Sequence, residues 1–425
     1  MLDIKYIRDN KEAVKKNCKN RGASVDIEFL LNLYAEFIGE KQILEGNEAM
    51  LKKQSKAKPT EYEIIEQRKL GDTIQVQRDG LKIKEEDYLK ILKLVSNMTH
   101  PDAPLGTEID FKVLTTEGNI PQFRNKGWFS SGDKFQPKDH EELMLTLDVI
   151  DFERGAKTTG AKFYFTKNEL VLLNNALIQY GIDILRKHSF VIMETPDIVK
   201  NEILSGVGFV PRGPESNTYA LEETDLSLIA TAEIPLGGYH SNEKIDLSKG
   251  PLKYAGISHC FRKEAGTYGK ASKGLYRVHQ FTKLEMFVYC KPEDSNNMHE
   301  ELLAIEREIV DGLGIPYRVI DTASQDLGAP AYRKFDIEAW MVMNQDYSEI
   351  TSTSNCTDYQ ARRLGVRYRD ESGKTRFAHT LNGTAVVTSR FPIAIFENFQ
   401  QKDGSIKIPK VLQKYCGFKE IKSKK

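Results

Sequence analysis

Phe261-Arg262-Lys263-Glu264, then a polar segment, Arg277-Val278-His279-Gln280-Phe281 and Glu285, is the stretch whose reading decides this chain. The run from Phe281 to Tyr289 is rich in β-formers, so two strands joined by a flexible hairpin are expected here. Such a hairpin carries two guanidiniums, a carboxylate and an aromatic ring. That set suits a bent polyphosphate lying under a stacked base. Arginine grips phosphate oxygens through paired, charge-assisted hydrogen bonds. Phe281 offers a flat apolar face to a purine, and Glu264 an acceptor to an exocyclic amine.

Outward from the hairpin, helical stretches (169–187 and 297–313) alternate with β-rich runs at 190–193, 281–289 and 317–321. A block of strands with helices around it predicts an α+β domain on a mainly antiparallel sheet flanked by helices. The N-terminal quarter reads differently. Leu30, Phe37, Leu44 and Leu51 recur every seven residues, as do Ile74, Leu81, Tyr88 and Val95. That narrow seam predicts two long pairing helices, the first over 26–54 and roughly 40 Å long at 1.5 Å per residue. Lys52-Lys53-Gln54-Ser55-Lys56-Ala57-Lys58-Pro59 marks a reversal between them, so the arm is an antiparallel two-helix coiled coil. Gly46, Gly71 and Gly80 weaken it by roughly 1 kcal/mol each relative to alanine. The segment 97–106, with two prolines and a glycine, ends the helical pattern as a stiff linker. The expected domains are 1–106 and 107–425.

At 425 residues the chain exceeds one ordinary core, and its 40% hydrophobic residues are enough to fill two. Charge balances at 61 basic against 61 acidic residues, so contact with nucleic acid would rest on local patches. Cys18, Cys260, Cys290, Cys356 and Cys416 are scattered, without a C-x-x-C pair, which argues against a disulfide framework and a zinc ribbon. No signal-like apolar core opens the chain, and nowhere do about 18 apolar residues run together. A cytoplasmic location with no membrane contact is expected.

Three further clusters join the hairpin: Thr231-Ala232-Glu233, Glu349-Ile350-Thr351-Ser352, and Asn382-Gly383-Thr384 leading to Arg390 before a helix. With them the chain resembles the seryl-tRNA synthetases, a family of class II aminoacyl-tRNA synthetases. The resemblance covers nearly the whole sequence: the arm, His100-Pro101-Asp102, Asp151-Phe152-Glu153-Arg154 and all three class II motifs. Motif 1 is the 169–187 helix plus the strand ending at Pro196, motif 2 runs over 261–285, and motif 3 from Asn382 through Arg390.

The resemblance implies ATP and Mg2+ as cofactors, L-serine and tRNA(Ser) as substrates, with tRNA(Sec) an open second RNA, and a homodimer built on motif 1. It implies that Arg262 holds the α-phosphate and the serine carboxylate, that Arg277 and Arg390 bind outer phosphates, and that Glu264, Phe281 and Arg390 hold adenine. Glu349, Ile350, Thr351 and Ser352 border the nucleotide, Glu349 and Ser352 facing magnesium. Thr231, Ala232 and Glu233 receive the serine ammonium; Glu285 and Thr384 receive its hydroxyl. Arg262, Arg390 and Glu285 carry the chemistry. Lys52, Lys53, Lys56 and Lys58 make the end of the arm a phosphate-tracking surface for tRNA. Where bacterial members carry motif 3 glycines, this chain reads Thr384-Ala385-Val386-Val387-Thr388-Ser389-Arg390, which leaves less backbone room near adenine. Lys263 inside the R-x-E is unusual and is expected to point away from the site. A catalytically silent, RNA-binding relative is the competing reading. Intact Arg262, Glu264, Arg277, Phe281, Glu285 and Arg390 speak against it.

Overall fold

The computed structural model describes residues 1–54, 59–123, 135–210, 216–264 and 274–422. They form two compact units, Met1–Met98 and Thr99–Lys425. Lys56, Lys58 and most of the polar segment between Glu264 and Arg277 lie outside the described residues.

Among the described residues the first unit has four helices, α1 (Ile4–Asp9), α2 (Lys11–Asn20), α3 (Ile27–Gln54) and α4 (Glu61–Leu92). Pro59 precedes a capping box that starts α4. Thr60 Oγ1 accepts from the Glu63 amide at 3.3 Å, and Glu63 Oε2 accepts from the Thr60 amide at 2.7 Å. Most of the predicted seam is buried: Leu30, Phe37, Leu44, Ile74 and Tyr88 are excluded from solvent, while Leu51 and Leu81 are half-buried. The Tyr34 and Phe37 rings lie 5.4 and 5.0 Å from that of Tyr88, and Asn47 donates to Gln77 at 3.0 Å, so α3 and α4 run antiparallel. The seam outlasts the helix, because Val95 lies beyond Leu92 yet is fully buried. It packs with Ile7, Val14 and Cys18 from α1 and α2, helices too short to show a period in the sequence. Gly39, Gly46, Gly71 and Gly80 sit within α3 and α4 with nothing within 4 Å of where a Cβ would be.

The second unit is built on one eight-stranded sheet. Its strands are β1 (Lys112–Glu117), β2 (Val191–Glu194), β3 (Leu252–Phe261), β4 (Gln280–Cys290), β5 (Tyr317–Asp321), β6 (Arg333–Met341), β7 (Asp346–Thr357) and β8 (His379–Val387). They lie in the order β1-β5-β6-β7-β8-β4-β3-β2, and every pair is antiparallel except β2 with β3. The α+β expectation holds. Helices α5 (Asn168–Lys187), α6 (Glu233–Gly238), α7 (Ser295–Leu313), α8 (Tyr359–Leu364) and α9 (Phe391–Phe399) surround it. α5 and α7 pack on the middle of the sheet, against β4, β7 and β8. Gly181 permits the close approach of α5: a Cβ there would stand 2.8 Å from Leu284 and 2.9 Å from Val386. The segment expected as a linker is tied to this unit, with His100 N donating to Tyr332 O, Ser324 N to Pro104 O and Gln325 N to Gly106 O.

On the other face α6 and α8 pack over Phe287 and Tyr289 at one end of β4, and the rest of that face of β3, β4, β7 and β8 forms the floor of a cleft. Two irregularities in the pairing decide which side chains reach it. Thr351 and Glu349 oppose the adjacent residues Ile337 and Glu338, so Ile350 is an extra residue in β7. In β8, Thr384 and Val386 oppose Glu285 and Leu284, so Ala385 is extra. Each such bulge moves the following side chains to the opposite face.

Candidate active site

The cleft holds two adjoining cavities. Arg262, Glu264, Tyr276, Arg277, Phe281, Glu349, Ile350 and Arg390 line the first. Thr231, Glu233, Glu285, Ser352 and Asn382 line the second, of about 410 Å³. Arg262, Lys283, Glu349 and Thr384 border both.

Alternation along β4 places Phe281, Lys283 and Glu285 on one face, all three in the cleft. The bulge at Ile350 lets Glu349 and Ser352, an odd and an even position, share that face. Thr351 is turned the other way, where its Oγ1 donates to Glu306 Oε2 of α7 at 3.0 Å. Likewise Thr384 faces the cleft before Ala385, and Val387 and Ser389 after it.

Every described residue named from the sequence for nucleotide or serine therefore borders a cavity, apart from two. Thr351 faces the helices, and Ala232 is fully buried in a core cluster with Ile234 and Leu236. Lys52 and Lys53 are exposed in the last turn of α3, in the other unit. Lys263 turns to Tyr219, its Nζ 5.9 Å from the ring centre.

The first cavity is rich in paired charge. Arg277 meets Glu264 at 3.2 Å, and Arg390 meets the Glu349 carboxylate at 2.9 Å. The Arg262 guanidinium stands 5.3 Å from the Phe281 ring centre, and that of Arg390 5.0 Å from Tyr276. Burial raises the Glu349 carboxyl, but Arg390 and Lys334 outweigh it and hold the group low. Arg262 is fixed through its backbone: its amide donates to His279 O at 3.0 Å, and His279 Nδ1 lies 2.7 Å from its carbonyl. His279 is structural, as is His379, whose Nδ1 lies 3.0 Å from Ser295 Oγ.

The second cavity balances Glu233, Glu285 and Glu349 against Arg262, Lys283 and Lys334. Glu233 Oε1 accepts from Gln360 of α8 at 2.7 Å and from Asn382 at 3.0 Å. Burial, and then the Glu285 carboxylate, push Glu233 up to about 7. Glu285 Oε2 lies 2.6 Å from Lys283 Nζ and accepts from Thr384 Oγ1 at 3.2 Å. A cation placed between Glu233 and Glu285 would relieve both carboxylates at once.

Sequence reading missed Lys283, Tyr276 and Gln360, and gave Asn382 no role. Lys283 carried a signal, since it sits midway between Phe281 and Glu285 on one strand. Asn382 carried the same signal beside Thr384. Gln360 had none; only the packing of α8 brings it to Glu233.

Residues 218–399, which hold all the site residues just described, match the family described as tRNA synthetase class II core domain (G, H, P, S and T). Sheet and cleft therefore define a class II aminoacyl-tRNA synthetase. A serine–tRNA ligase of Treponema denticola is 52% identical over 99% of this chain and 100% of that one, and one of Rubrobacter xylanophilus 48% over 98% of each. A crystal structure of seryl-tRNA synthetase from Pyrococcus horikoshii complexed with ATP superimposes with a TM-score of 0.90, at 37% identity, covering all of both chains. The chain belongs to the serine–tRNA ligase family.

Proposed function

We propose that this protein activates L-serine with ATP and transfers the seryl group to the 3′ end of tRNA(Ser). The observation that carries the reading is the position of Arg262 on the wall shared by both cavities. ATP in the first cavity and serine in the second bring an α-phosphate and a carboxylate to one guanidinium. A carboxylate oxygen then attacks the α-phosphorus, the bond to pyrophosphate breaks, and seryl-adenylate forms. The nucleophile is already ionised at neutral pH, so no general base is needed. Positioning and charge stabilisation supply the catalysis.

Arg277 and Arg390 hold the outer phosphates and steady the departing pyrophosphate. Phe281 stacks on adenine while Glu264 accepts from its amine. Glu233 takes the serine ammonium beside Thr231, and Glu285 with Thr384 the hydroxyl. In the second step a terminal ribose hydroxyl of tRNA, which we assign as the 3′ hydroxyl, attacks the adenylate carbonyl and AMP leaves.

Glu349 and Ser352 offer hard oxygens to a magnesium ion. Among the described residues no group of three or more His, Cys, Asp or Glu side chains is placed to hold a metal. The ion would take its remaining ligands from phosphates and water, as magnesium does, and supply charge neutralisation there. Glu349 is held in its ionised form, which fits this role.

A homodimer through the motif 1 elements is supported by apolar side chains left exposed on them: Val171 and Leu172 on α5 and Val191 on β2. The exposed lysines at the end of α3 are the tRNA-binding surface, and tRNA(Sec) is a second RNA to assay beside tRNA(Ser). No helix among the described residues is long and apolar enough to cross a membrane, and a cytoplasmic location is part of this reading.

Serine-dependent exchange of pyrophosphate into ATP tests the proposal, with alanine, threonine and glycine run beside serine. Exchange with serine alone is expected. Its absence with all four amino acids, in a folded protein, would leave the catalytically silent RNA-binding reading in its place.

A further inference from the structure

Lys283 has no part in the roles assigned so far, yet it is buried in the wall between the cavities. Its Nζ stands 2.6 Å from Glu285 Oε2 and 3.4 Å from Thr231 Oγ1. Thr384 Oγ1 donates to the same Glu285 oxygen at 3.2 Å. One oxygen of Glu285 is thus engaged twice from the protein side, leaving Oε1 as the acceptor for a ligand. A carboxylate oxygen accepts hydrogen bonds, so it can be satisfied by a hydroxyl and not by a methyl group.

We infer that Lys283 is a specificity-determining residue of the amino-acid cavity. It acts through Glu285, holding that carboxylate turned so that a ligand bearing a hydroxyl donor completes its shell. The inference rests on the proposed serine-activating function. Without Lys283 only Thr384 holds Glu285 Oε2, the carboxylate loses its fixed aim, and the hydroxyl bond that separates serine from alanine weakens. Lys283 is in this sense a positioning residue.

The test compares serine and alanine in the pyrophosphate exchange assay for wild type, Lys283→Met and Lys283→Gln. Glutamine still donates a hydrogen bond but brings no charge, and it decides the outcome if the methionine variant does not fold. Lys283→Met is expected to lower kcat/KM for serine about 30-fold, within the range for a charged hydrogen bond, and that for alanine by less than about threefold. The loss should fall mainly on KM, because the hydroxyl bond is made in ground and transition states alike. Lys283→Gln should fall between. A variant that loses serine and alanine activity in equal proportion, or keeps the wild-type ratio, would overturn the assignment of Lys283 while the wild-type preference for serine stands. A wild type with no preference for serine would overturn the proposed function, and this inference with it.

Discussion

Gln360 donates its side-chain amide to Glu233 Oε1 at 2.7 Å, fixing a buried carboxyl at the edge of the amino-acid cavity. The bond supports the ionised form of Glu233, but burial and Glu285 prevail and bring the group to about 7. Glu233 therefore carries a proton part of the time at neutral pH.

Binding of the serine ammonium requires that proton to leave. Below a pH of about 7 the KM for serine should rise, approaching tenfold per pH unit, and above it level off. Glu233→Gln should remove this dependence and raise KM at neutral pH by about 10- to 100-fold, the range for a lost charge-assisted hydrogen bond. Exchange kinetics between about pH 5.5 and 8 check both, and a flat wild-type profile would contradict the assigned role.

Arg262→Ala should lower adenylate formation by about 10³-fold or more, as expected for a group stabilising charge in the transition state. The change leaves its backbone pairing with His279 in place. Thermal midpoint and tRNA binding should stay near wild type. Single-turnover adenylate formation and a filter-binding assay separate the two.

Lys52→Glu with Lys53→Glu reverses charge at the exposed end of α3. Aminoacylation should then need about tenfold more tRNA at low salt, with the difference shrinking as salt rises. Serine-dependent exchange, which needs no tRNA, should not change. Equal charging curves for the two proteins would take the arm out of RNA recognition.

Glu306 is fully buried under the sheet and its Oε1 has no partner among the described residues. Burial raises its carboxyl well above the ordinary 4.5. The folded protein thus keeps a proton that the unfolded chain loses above that value. Stability at this site is complete below about pH 4.5 and falls as pH rises toward the folded value, by up to about 1.4 kcal/mol per unit. Glu306→Gln should match wild type near pH 4.5 and exceed it increasingly toward pH 8. Urea unfolding at several pH values between these limits measures the gap.

The sheet was legible because its strands are long and rich in β-formers: the predicted 317–321 is β5 itself, and 281–289 lies inside Gln280–Cys290. The seam of the arm was legible because its seven-residue period runs unbroken from Leu30 to Leu44 and from Ile74 to Tyr88. The bulges were not. An extra residue such as Ile350 or Ala385 is defined only by its partner strand, so a contiguous run like Glu349-Ile350-Thr351-Ser352 gives no sign that Thr351 turns away. For the same reason Ala232, between two site residues, gave no sign that it belongs to the core. Gln360 reaches Glu233 from 127 positions away in the chain, through packing alone.

The two long helices are unevenly fastened. At one end Tyr34, Phe37 and Tyr88 interlock with the core of α1 and α2. Toward the other, no apolar side chain is buried after Leu44 in α3 or before Ile74 in α4, and the glycines at 46 and 71 fill nothing. In mechanical terms the pair is a cantilever, clamped at its root and compliant at its tip. In the proposed RNA-binding role, a compliant tip bearing Lys52 and Lys53 would follow the curvature of a nucleic-acid backbone without a preformed groove, and bending it would cost little of the stability held at the root.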